Sequence, residues 1–274
     1  MTPRIPTALT IAGSDSGGGA GIQADLKTFE AHGVFGMSVV TALTAQNTQA
    51  VTGVHDVPAA FVTAQLDAVA DDLPIGAVKT GMLASVEVVE AVAEGLTRLR
   101  LGPVVVDPVM VSKGGHPLLP DDAVASVAMR MLPLADVVTP NAHEAARLTG
   151  LEVATLEDAR RAARQILGLG PKAVLVKGGH LEGEGDAVDL LLTADGETLY
   201  REDRIDTPNT HGTGCTYASA IAANLARGLA LEDAVGRARR YLQQAIRHGL
   251  DLGGGHGPTS HFWFLDGTEA APDA

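Results

Sequence analysis

The sequence has one cysteine among its 274 residues, and aromatic side chains make up only 3% of it. A single thiol excludes an internal disulfide, and no paired cysteine motif for zinc is present. No run of about 18 apolar residues occurs, so the sequence predicts no membrane-spanning helix. The chain enters a strand-like run at Ala8 without the long apolar region of a signal peptide. We therefore expect a soluble cytoplasmic protein that has no membrane partner.

Basic residues are few: 20 lysines and arginines face 33 acidic residues, which gives a formal net charge of −13. This balance argues against a nucleic-acid partner, although a local basic pocket for a small anion is compatible with it. Hydrophobic residues make up 46% of the chain, enough for a large core. The length suits one α/β domain, and neither a linker nor an internal repeat is visible. We expect one domain over residues 1–265 and a frayed tail over 266–274.

Apolar strand-like runs alternate with amphipathic helical patterns, which is typical of βαβ units. This order predicts an α/β fold with a central, mainly parallel sheet and helices on both faces. The predicted strands are Ala8–Ala12, Met37–Leu43, Gly76–Thr80, Val104–Asp107, Asp136–Thr139 and Ala173–Lys177, followed by a hairpin of Ala187–Leu192 and Thr198–Tyr200. The predicted helices are Ala20–His32, Ala59–Asp72, Ser85–Arg100, Asp121–Met131, Leu156–Leu167, Gly214–Arg227 and Leu231–His248. Gly114-Gly115 suggests a mobile loop over Ser112–Pro117.

Glycines or polar side chains follow nearly every predicted strand. In open α/β sheets, ligands bind beyond the carboxyl ends of the strands, so this concentration predicts a site. The segments are Gly13–Gly19, Gln46–Thr48, Gly81-Met82, Asp107–Met110, Pro140–Glu144 and Lys177–Gly179. Gly13–Gly19 is not a P-loop, because no Gly-Lys-Ser/Thr sequence occurs in the chain. It is either a flexible turn or a place where the backbone closely approaches a flat ligand.

Four charged or amide side chains at these strand ends each have two interpretations. Asn141 with Glu144 is a helix-start signature, and the same pair could also supply oxygen ligands for Mg²⁺. Asp107 is either a turn residue or a functional group that holds Mg²⁺ or orients a phosphate-bound water. Lys177 ends a buried strand and needs either a route to solvent or an anionic partner, which a phosphate would supply. The nine histidines form no recognisable metal motif, and we expect His256 and His261 to be structural or rim residues.

The lone cysteine, Cys215, follows two glycines, Gly212 and Gly214, at the predicted start of a helix. A helix N-terminus presents free N–H groups and a partial positive charge, so it binds phosphate. The same field predicts a thiol pKa below its ordinary value. The alternative is that Cys215 is a small buried hydrophobic residue.

Several of these segments together resemble the hydroxymethylpyrimidine kinase/phosphomethylpyrimidine kinase family, which belongs to the ribokinase-like superfamily. The matching motifs run in order from residue 8 to about 260. They are Ala12–Thr28, Thr41–Thr48, Lys79–Leu83, Asp107–Met110, Thr139–Asn141, Lys177–His180 and His211–Thr216. The resemblance implies a ribokinase-like fold and an ATP- and Mg²⁺-dependent kinase of thiamine biosynthesis. Members of that family often form homodimers.

The resemblance also assigns roles to residues of this chain. Gln46 would pair with an aminopyrimidine edge, and the same pocket would be lined by Gly13, Asp25, Met82, Val109 and Met110. Lys177, Thr213 and Asn141 would contact the nucleotide. Asp107, Asn141 and Glu144 would organise Mg²⁺, partly through water. An anion hole would be formed by Gly212, Thr213, Gly214 and Cys215, with the thiolate of Cys215 accepting the proton of the substrate hydroxyl.

Two other functions fit parts of the same pattern. A vitamin B6 kinase shares the glycine loop and the Gly-Thr-Gly-Cys motif, but the amide of Gln46 favours an aminopyrimidine over a phenolic edge. A non-catalytic pyrimidine-binding regulator could use the same fold. Such a binder would have no need for all of Asp107, Asn141, Glu144, Lys177 and Cys215.

Overall fold

Alternating strands and helices build one nine-stranded sheet in the computed structural model, which describes residues 5–111, 119–179, 181–183 and 185–266. The strands are β1 Thr7–Asp15, β2 Phe35–Gln46, β3 Val51–Asp56, β4 Ala77–Thr80, β5 Val104–Val106, β6 Val137–Val138, β7 Ala173–Val176, β8 Ala187–Thr193 and β9 Glu197–Glu202. The α-helices are α1 Gly21–Ala31, α2 Ala59–Asp72, α3 Val86–Leu99, α4 Asp121–Ser126, α5 Ala142–Thr149, α6 Leu156–Leu167, α7 Thr213–Ala226 and α8 Leu231–Arg247.

The strand order across the sheet is β3-β2-β1-β4-β5-β6-β7-β8-β9. The six strands from β2 to β7 pair in parallel, whereas β3 at one edge and β8 and β9 at the other are antiparallel. The carboxyl ends of the parallel strands therefore meet at one edge of the sheet, where ligands bind in folds of this kind.

Neighbouring residues of the central strands face opposite layers of helices. Leu9, Val78 and Val104 belong to a core that also contains buried side chains of α2 to α6. Ala8, Ala77 and Val105 belong to a second core, built with α1, α7 and α8. Because both faces are covered, the strands are continuous apolar runs such as Val104–Val106, as expected for a buried parallel sheet. The predicted α/β architecture is confirmed.

Two elements were not among the predicted strands and helices. Edge strand β3 is almost fully exposed and contains Gly53, so it lacks the alternating apolar pattern that predicts a strand. Helix α5 has only eight residues, and the sequence indicated its start but not its extent. The long helix predicted over Asp121–Met131 is α4 followed by one π-helical segment, Val127–Met131. The hairpin of β8 and β9 is confirmed.

The far end of the described chain is a short 3₁₀ helix, Trp263–Asp266, which includes the first residue of the predicted tail. Residues 267–274 of the predicted tail and the predicted mobile loop over Ser112–Pro117 lie outside the described residues. None of the helices in the described part of the chain has the length and hydrophobicity needed to cross a bilayer.

Candidate active site

The carboxyl edge of the sheet gathers most of the polar segments that the sequence singled out. Strands β1 and β2 extend further than predicted, so that Gly13 and Gln46 lie within strands rather than in the loops after them. Asp107 follows β5 directly, and Lys177 follows β7. Helix α7 begins at Thr213 and packs against β1, β4 and β5. The sheet and this helix together form one candidate active site.

Lys177 is a cationic centre of this site. Its Nζ lies 2.8 Å from Asp107 Oδ1 and 3.9 Å from Glu144 Oε2. Asp107 Oδ1 also accepts a hydrogen bond from the Thr139 hydroxyl at 3.0 Å. Burial alone would lower the pKa of Lys177. The carboxylates of Asp107 and Glu144 outweigh this effect and hold the pKa above its ordinary value. Lys177 therefore stays protonated and can bind phosphate oxygens.

Asn141 and Glu144 start helix α5, as the sequence indicated. The Asn141 side chain accepts from the Glu144 N–H at 2.9 Å, and Glu144 Oε2 accepts from the Asn141 N–H at 2.8 Å. This reciprocal pair is a capping box. Burial raises the pKa of Glu144 to about 7, because the nearby positive charge of Lys177 offsets only part of the lost hydration. The amide of Asn141 serves the helix cap, and its predicted contacts with nucleotide and metal stay predictions.

The described residues contain no group of three or more His, Cys, Asp or Glu side chains arranged to hold a metal ion. Asp107 and Glu144 nonetheless place two carboxylates on the same lysine. Mg²⁺ usually keeps several waters and takes one or two carboxylates together with phosphate oxygens. Two carboxylates beside a cationic phosphate-binding group therefore fit Mg²⁺ carried by a nucleotide.

Helix α7 begins at a turn that only glycine can make. Gly212 has φ of +82°, and a Cβ on it would lie 1.9 Å from the carbonyl oxygen of Gly19. Gly212 caps the helix without a side-chain hydrogen bond. The Thr213 N–H donates to the Thr210 carbonyl oxygen at 3.4 Å, and the next N–H groups of α7, those of Gly214 and Cys215, are left for a ligand. A Cβ on Gly214 would lie 3.4 Å from Lys177 Nζ and 3.6 Å from Asp107 Oδ2. The helix start and the lysine therefore face one space.

The expectation of a lowered thiol pKa at Cys215 is wrong. Part of the residue is accessible, but protein atoms surround the sulfur closely enough that burial raises its pKa to about 11. The Lys79 charge acts in the opposite direction, and the carboxylates of Asp25 and Asp107 reinforce the rise. Loss of hydration thus outweighs the helix field. At neutral pH almost all of the thiol in this structure is protonated.

The predicted substrate pocket brings together Gly13 and Met82. A Cβ on Gly13 would lie 2.8 Å from Met82 Cε, so the glycine leaves room for the methionine side chain. The Thr41 hydroxyl fixes the Met82 backbone by donating to its carbonyl oxygen at 2.6 Å. Val109 follows Asp107 and is half-buried, whereas Met110 is fully buried. Contact of these residues with a substrate stays a prediction.

Gln46 keeps hydrogen-bonding capacity at both atoms of its amide. The Thr44 hydroxyl lies 2.8 Å from the Ser14 carbonyl oxygen and 3.1 Å from Gln46 Oε1. Its single proton can serve only one of them, so Oε1 can still accept from a ligand. Gln46 Nε2 lies 3.5 Å from His211 Nε2, which is too long for a strong hydrogen bond. The side chain can therefore offer one acceptor and one donor.

Asp25 is already bound by several partners in this structure. Both of its oxygens lie 2.9 Å from Lys79 Nζ, and they also accept from the hydroxyls of Thr10 and Ser219 at 2.6 Å. Asp25 and Lys79 have no exposed surface. Burial alone would lower the pKa of Lys79, but the Asp25 carboxylate keeps this pKa above its ordinary value. In this structure Asp25 is the counter-ion of a buried lysine, and its predicted contact with the substrate stays a prediction.

Replacing this lysine should destabilise the fold more than it changes substrate binding. Lys79→Met would leave the Asp25 carboxylate buried without its cation, and we expect a loss of about 3–5 kcal/mol in the free energy of unfolding. Chemical denaturation measures this loss. The double variant Lys79→Met/Asp25→Asn should recover much of it, because no charge is then buried. If the single variant unfolds like the parent, the ion pair contributes no net stability.

Two residues of this site, Asp15 and His211, were not singled out from the sequence. His211 Nε2 lies 2.8 Å from Asp15 Oδ2, although the two residues are 196 positions apart. Asp15 lies inside the glycine loop, and His211 directly precedes the turn at Gly212. These positions next to two predicted site segments were the only features of the sequence that could have indicated a role for either residue.

His256 is exposed and His261 is buried, which agrees with their expected structural roles.

Known proteins with similar sequences include kinases that act on pyrimidines, as their names state. The family model "Phosphomethylpyrimidine kinase" matches residues 15–260. The hydroxymethylpyrimidine/phosphomethylpyrimidine kinase of Streptomyces coelicolor is 54% identical, over 97% of this chain and 97% of its own length. The thiamine biosynthesis bifunctional protein ThiED of Geobacter sulfurreducens is 56% identical over 93% of this chain. This chain spans only 52% of that longer relative.

A solved structure, the ADP complex of Bacillus subtilis pyridoxal kinase, superposes with a TM-score of 0.88. It is 39% identical and covers 94% of this chain and 98% of its own. These similarities, with which the sheet order and the glycine turn before α7 agree, show a small-molecule kinase of ribokinase-like fold. Within that class, the chain belongs to the phosphomethylpyrimidine kinase family.

Proposed function

We propose that this chain transfers the γ-phosphoryl group of ATP to 4-amino-5-hydroxymethyl-2-methylpyrimidine and then phosphorylates the monophosphate to the diphosphate, in thiamine biosynthesis. One observation carries the proposal: the start of α7 faces Lys177, whose Nζ would lie only 3.4 Å from a Cβ placed on Gly214. Backbone donors and a fixed cation at one point suit a phosphoryl group in transfer. The names of the relatives support the choice of pyrimidine.

The residues at this point would position and neutralise the transferring group. Phosphoryl transfer passes through a loose transition state, so catalysis is mostly positioning and charge stabilisation. The N–H groups of Gly212–Cys215 would bind the equatorial oxygens, and Lys177 would bind oxygens at the bond that breaks. The substrate hydroxyl oxygen forms the new P–O bond in line with the departing ADP. Asp107 keeps Lys177 charged and in place.

Asp107 and Glu144 are the residues that would hold Mg²⁺, with Asn141 contributing through water. When bound, Mg²⁺ would neutralise charge on the nucleotide phosphates. Lys177 lies against both carboxylates and so keeps them from repelling the incoming phosphates when the metal is absent. Thr213, the first residue of α7, would contact the nucleotide through its backbone.

Cys215 would accept the proton of the substrate hydroxyl in the first step. Because burial raises the pKa of its thiol to about 11, only a minor thiolate form can do this at neutral pH. A loose transition state delays proton loss until the P–O bond is nearly formed, so a sparsely populated base is sufficient. The second step uses a phosphate oxygen of the monophosphate as nucleophile and needs no such base.

Gln46 supports a pyrimidine rather than a pyridoxine substrate. Its free acceptor and free donor match the exocyclic amine and adjacent ring nitrogen of an aminopyrimidine. The phenolic edge of pyridoxine lacks that pair. The vitamin B6 alternative is supported by the structural similarity to a pyridoxal kinase, although the identity to that protein, 39%, is lower than to the pyrimidine kinases. A non-catalytic regulator would have no use for the Lys177–Asp107–Glu144 cluster beside Cys215.

A coupled assay of ADP release tests the proposal on three acceptors: hydroxymethylpyrimidine, its monophosphate and pyridoxine. We expect both pyrimidines to have higher kcat/KM values than pyridoxine. A preference for pyridoxine over both would establish the vitamin B6 kinase instead. Tight binding of the pyrimidine with no turnover on any acceptor would establish the regulator.

Gln46→Met should raise the KM for hydroxymethylpyrimidine and leave kcat and the KM for ATP nearly unchanged. The variant keeps the size of the side chain but removes two neutral hydrogen bonds worth about 0.5–1.5 kcal/mol each, so we expect a rise of about 10- to 100-fold. Steady-state kinetics with each substrate varied measure it. Gln65→Met is a matched control, because Gln65 makes its amide hydrogen bonds to the backbone of Val40 on β2, away from the site. An unchanged KM in Gln46→Met would remove Gln46 from the pocket.

Homodimerisation and a cytoplasmic location stay predictions. Support for a second copy comes from the exposed edge of the sheet, where Phe35, Leu43 and Val54 present apolar side chains on β2 and β3. Sedimentation equilibrium would give the mass of the assembly.

A further inference from the structure

We infer that His211 is a positioning residue that locks the anion-binding turn before α7 onto the glycine loop of the pyrimidine pocket through Asp15. This inference rests on the proposed function, because it concerns the two loops between which that reaction would take place. Neither Asp15 nor His211 would touch the reacting atoms. Their effect would be to hold the phosphoryl-binding groups and the pyrimidine-binding groups at a fixed separation.

Asp15 organises the glycine loop around its carboxylate. Oδ1 accepts from the Gly17 N–H at 2.8 Å, and Oδ2 accepts from the N–H groups of Gly19 at 3.1 Å and Ala20 at 2.8 Å. The Asp15 residue is 2% exposed. Burial alone would raise its pKa, but the His211 ring and these N–H donors together lower it, so the carboxylate is ionised at neutral pH.

His211 supplies the remaining donor. An ionised carboxylate only accepts, so the proton of this hydrogen bond is on His211 Nε2 and points to Asp15 Oδ2 at 2.8 Å. The backbone of His211 is fixed on both sides, since its N–H donates to Gly257 and its carbonyl oxygen accepts from Thr259. A side chain anchored in this way transfers its position to Gly212, the next residue and the N-cap of α7.

The two loops also interlock sterically. A Cβ on Gly19 would lie 2.5 Å from His211 Cδ2, and a Cβ on Gly212 would lie 1.9 Å from the Gly19 carbonyl oxygen. His211 Nε2 lies 3.5 Å from Gln46 Nε2, so the same ring borders the amide that would read the pyrimidine. Because that ring donates its proton to Asp15, it does not use the Gln46 donor. The His211 side chain thus lies against the glycine loop and beside Gln46, while its backbone continues directly into the anion-binding turn.

The test compares His211→Ala with His211→Gln. Glutamine can donate an N–H at about the reach of the ring Nε2, and alanine cannot. We expect His211→Ala to lower kcat for hydroxymethylpyrimidine phosphorylation by about 10²-fold, since a small displacement of positioned groups has an effect of this size. The KM for ATP should change much less. His211→Gln should recover most of the lost kcat.

His261→Ala is the matched control. His261 is similarly buried and hydrogen-bonds to α7 through Thr216 at 3.0 Å, and among the described residues its ring makes no hydrogen bond to the glycine loop. We expect it to lose stability without a comparable loss of kcat. Equal kcat in His211→Ala and wild type, or a loss in His211→Gln as large as in His211→Ala at the same stability, would overturn the inference.

Amide hydrogen exchange on the resting protein separates this inference from the proposed activity. In His211→Ala, exchange in residues 15–20 and 211–215 should accelerate together, and it should stay slow in His211→Gln and His261→Ala. Unchanged exchange in the glycine loop of His211→Ala would show that the loops are not coupled, whatever the kinetics. If wild type fails to phosphorylate any pyrimidine, the proposed function is wrong and the exchange result alone decides the coupling.

Discussion

Cys215→Ala is expected to slow the first phosphorylation by about 10²-fold at neutral pH and to leave the second nearly unchanged. General bases contribute about 10²–10⁴-fold, and the low end applies because burial raises the pKa of this thiol to about 11. The thiolate fraction rises about tenfold per pH unit below that pKa. The wild-type rate of the first step should therefore increase with pH between 7 and 10, and the Cys215→Ala rate should not. Rapid-quench kinetics with each pyrimidine measure both steps.

Cys215→Ser is the companion variant, since it keeps the size of the side chain and the backbone N–H. A serine hydroxyl ionises less readily than a thiol, so this variant should resemble Cys215→Ala in the first step. An equal loss in both steps would show that Cys215 shapes the anion-binding turn instead of accepting a proton. A wild-type rate that is flat from pH 7 to 10 would also exclude the thiolate as base.

Lys177→Met should lower kcat in both steps by about 10²–10³-fold. The change removes a fixed positive charge from the point where negative charge develops, and losses of this size follow the removal of one such group. It also leaves Asp107, 2.8 Å from the former ammonium, facing the phosphates without its counter-ion. Each step transfers the γ-phosphoryl group of an ATP, so the rates of both steps should fall. In Cys215→Ala, by contrast, only the rate of the first step should fall. Steady-state turnover at saturating ATP measures this effect.

Lys172→Met provides the control for the loss of one lysine charge. Lys172 also pairs with an aspartate, Asp136, but its side chain is 77% exposed. Surface pairs of this kind contribute little, so stability and turnover should remain close to those of the parent protein. Turnover of Lys177→Met within a few-fold of wild type would remove Lys177 from the phosphoryl-binding groups.

The central part of the fold was predictable because its strands and helices repeat a strong local pattern. Val104–Val106 and Ala173–Val176 are short apolar runs, and burial on both faces of a parallel sheet produces such runs. The edge strand β3 escaped prediction for the same physical reason. Its residues face solvent, so the hydrophobic periodicity that marks a strand is absent, and only pairing with β2 defines it.

The site was predictable where a residue's role depends on its place at a strand end or helix start. Asn141 and Glu144 form the expected capping box, and Lys177 has the anionic partner that its burial required. The ion pair of Asp25 was not predictable, because its partner Lys79 is 54 positions away and only the packed sheet brings the two residues together. The thiol pKa at Cys215 depends on how completely protein surrounds the sulfur, which no local motif reports.

The contact between Asp15 and His211 also has a consequence for how the protein is made. The first strand of the sheet emerges from the ribosome early, yet the carboxylates of Asp15 and Asp25 find His211 and Ser219 only after three quarters of the chain has been synthesised. Until then the glycine loop lacks the element that fixes it, and Asp25 lacks one of its donors. A chain that ends before α7 contains all nine strands but lacks two helices that cover one face of the sheet, and it lacks the anion-binding turn of the site. Catalytic competence in this architecture is therefore a property of the finished polypeptide, acquired late in translation.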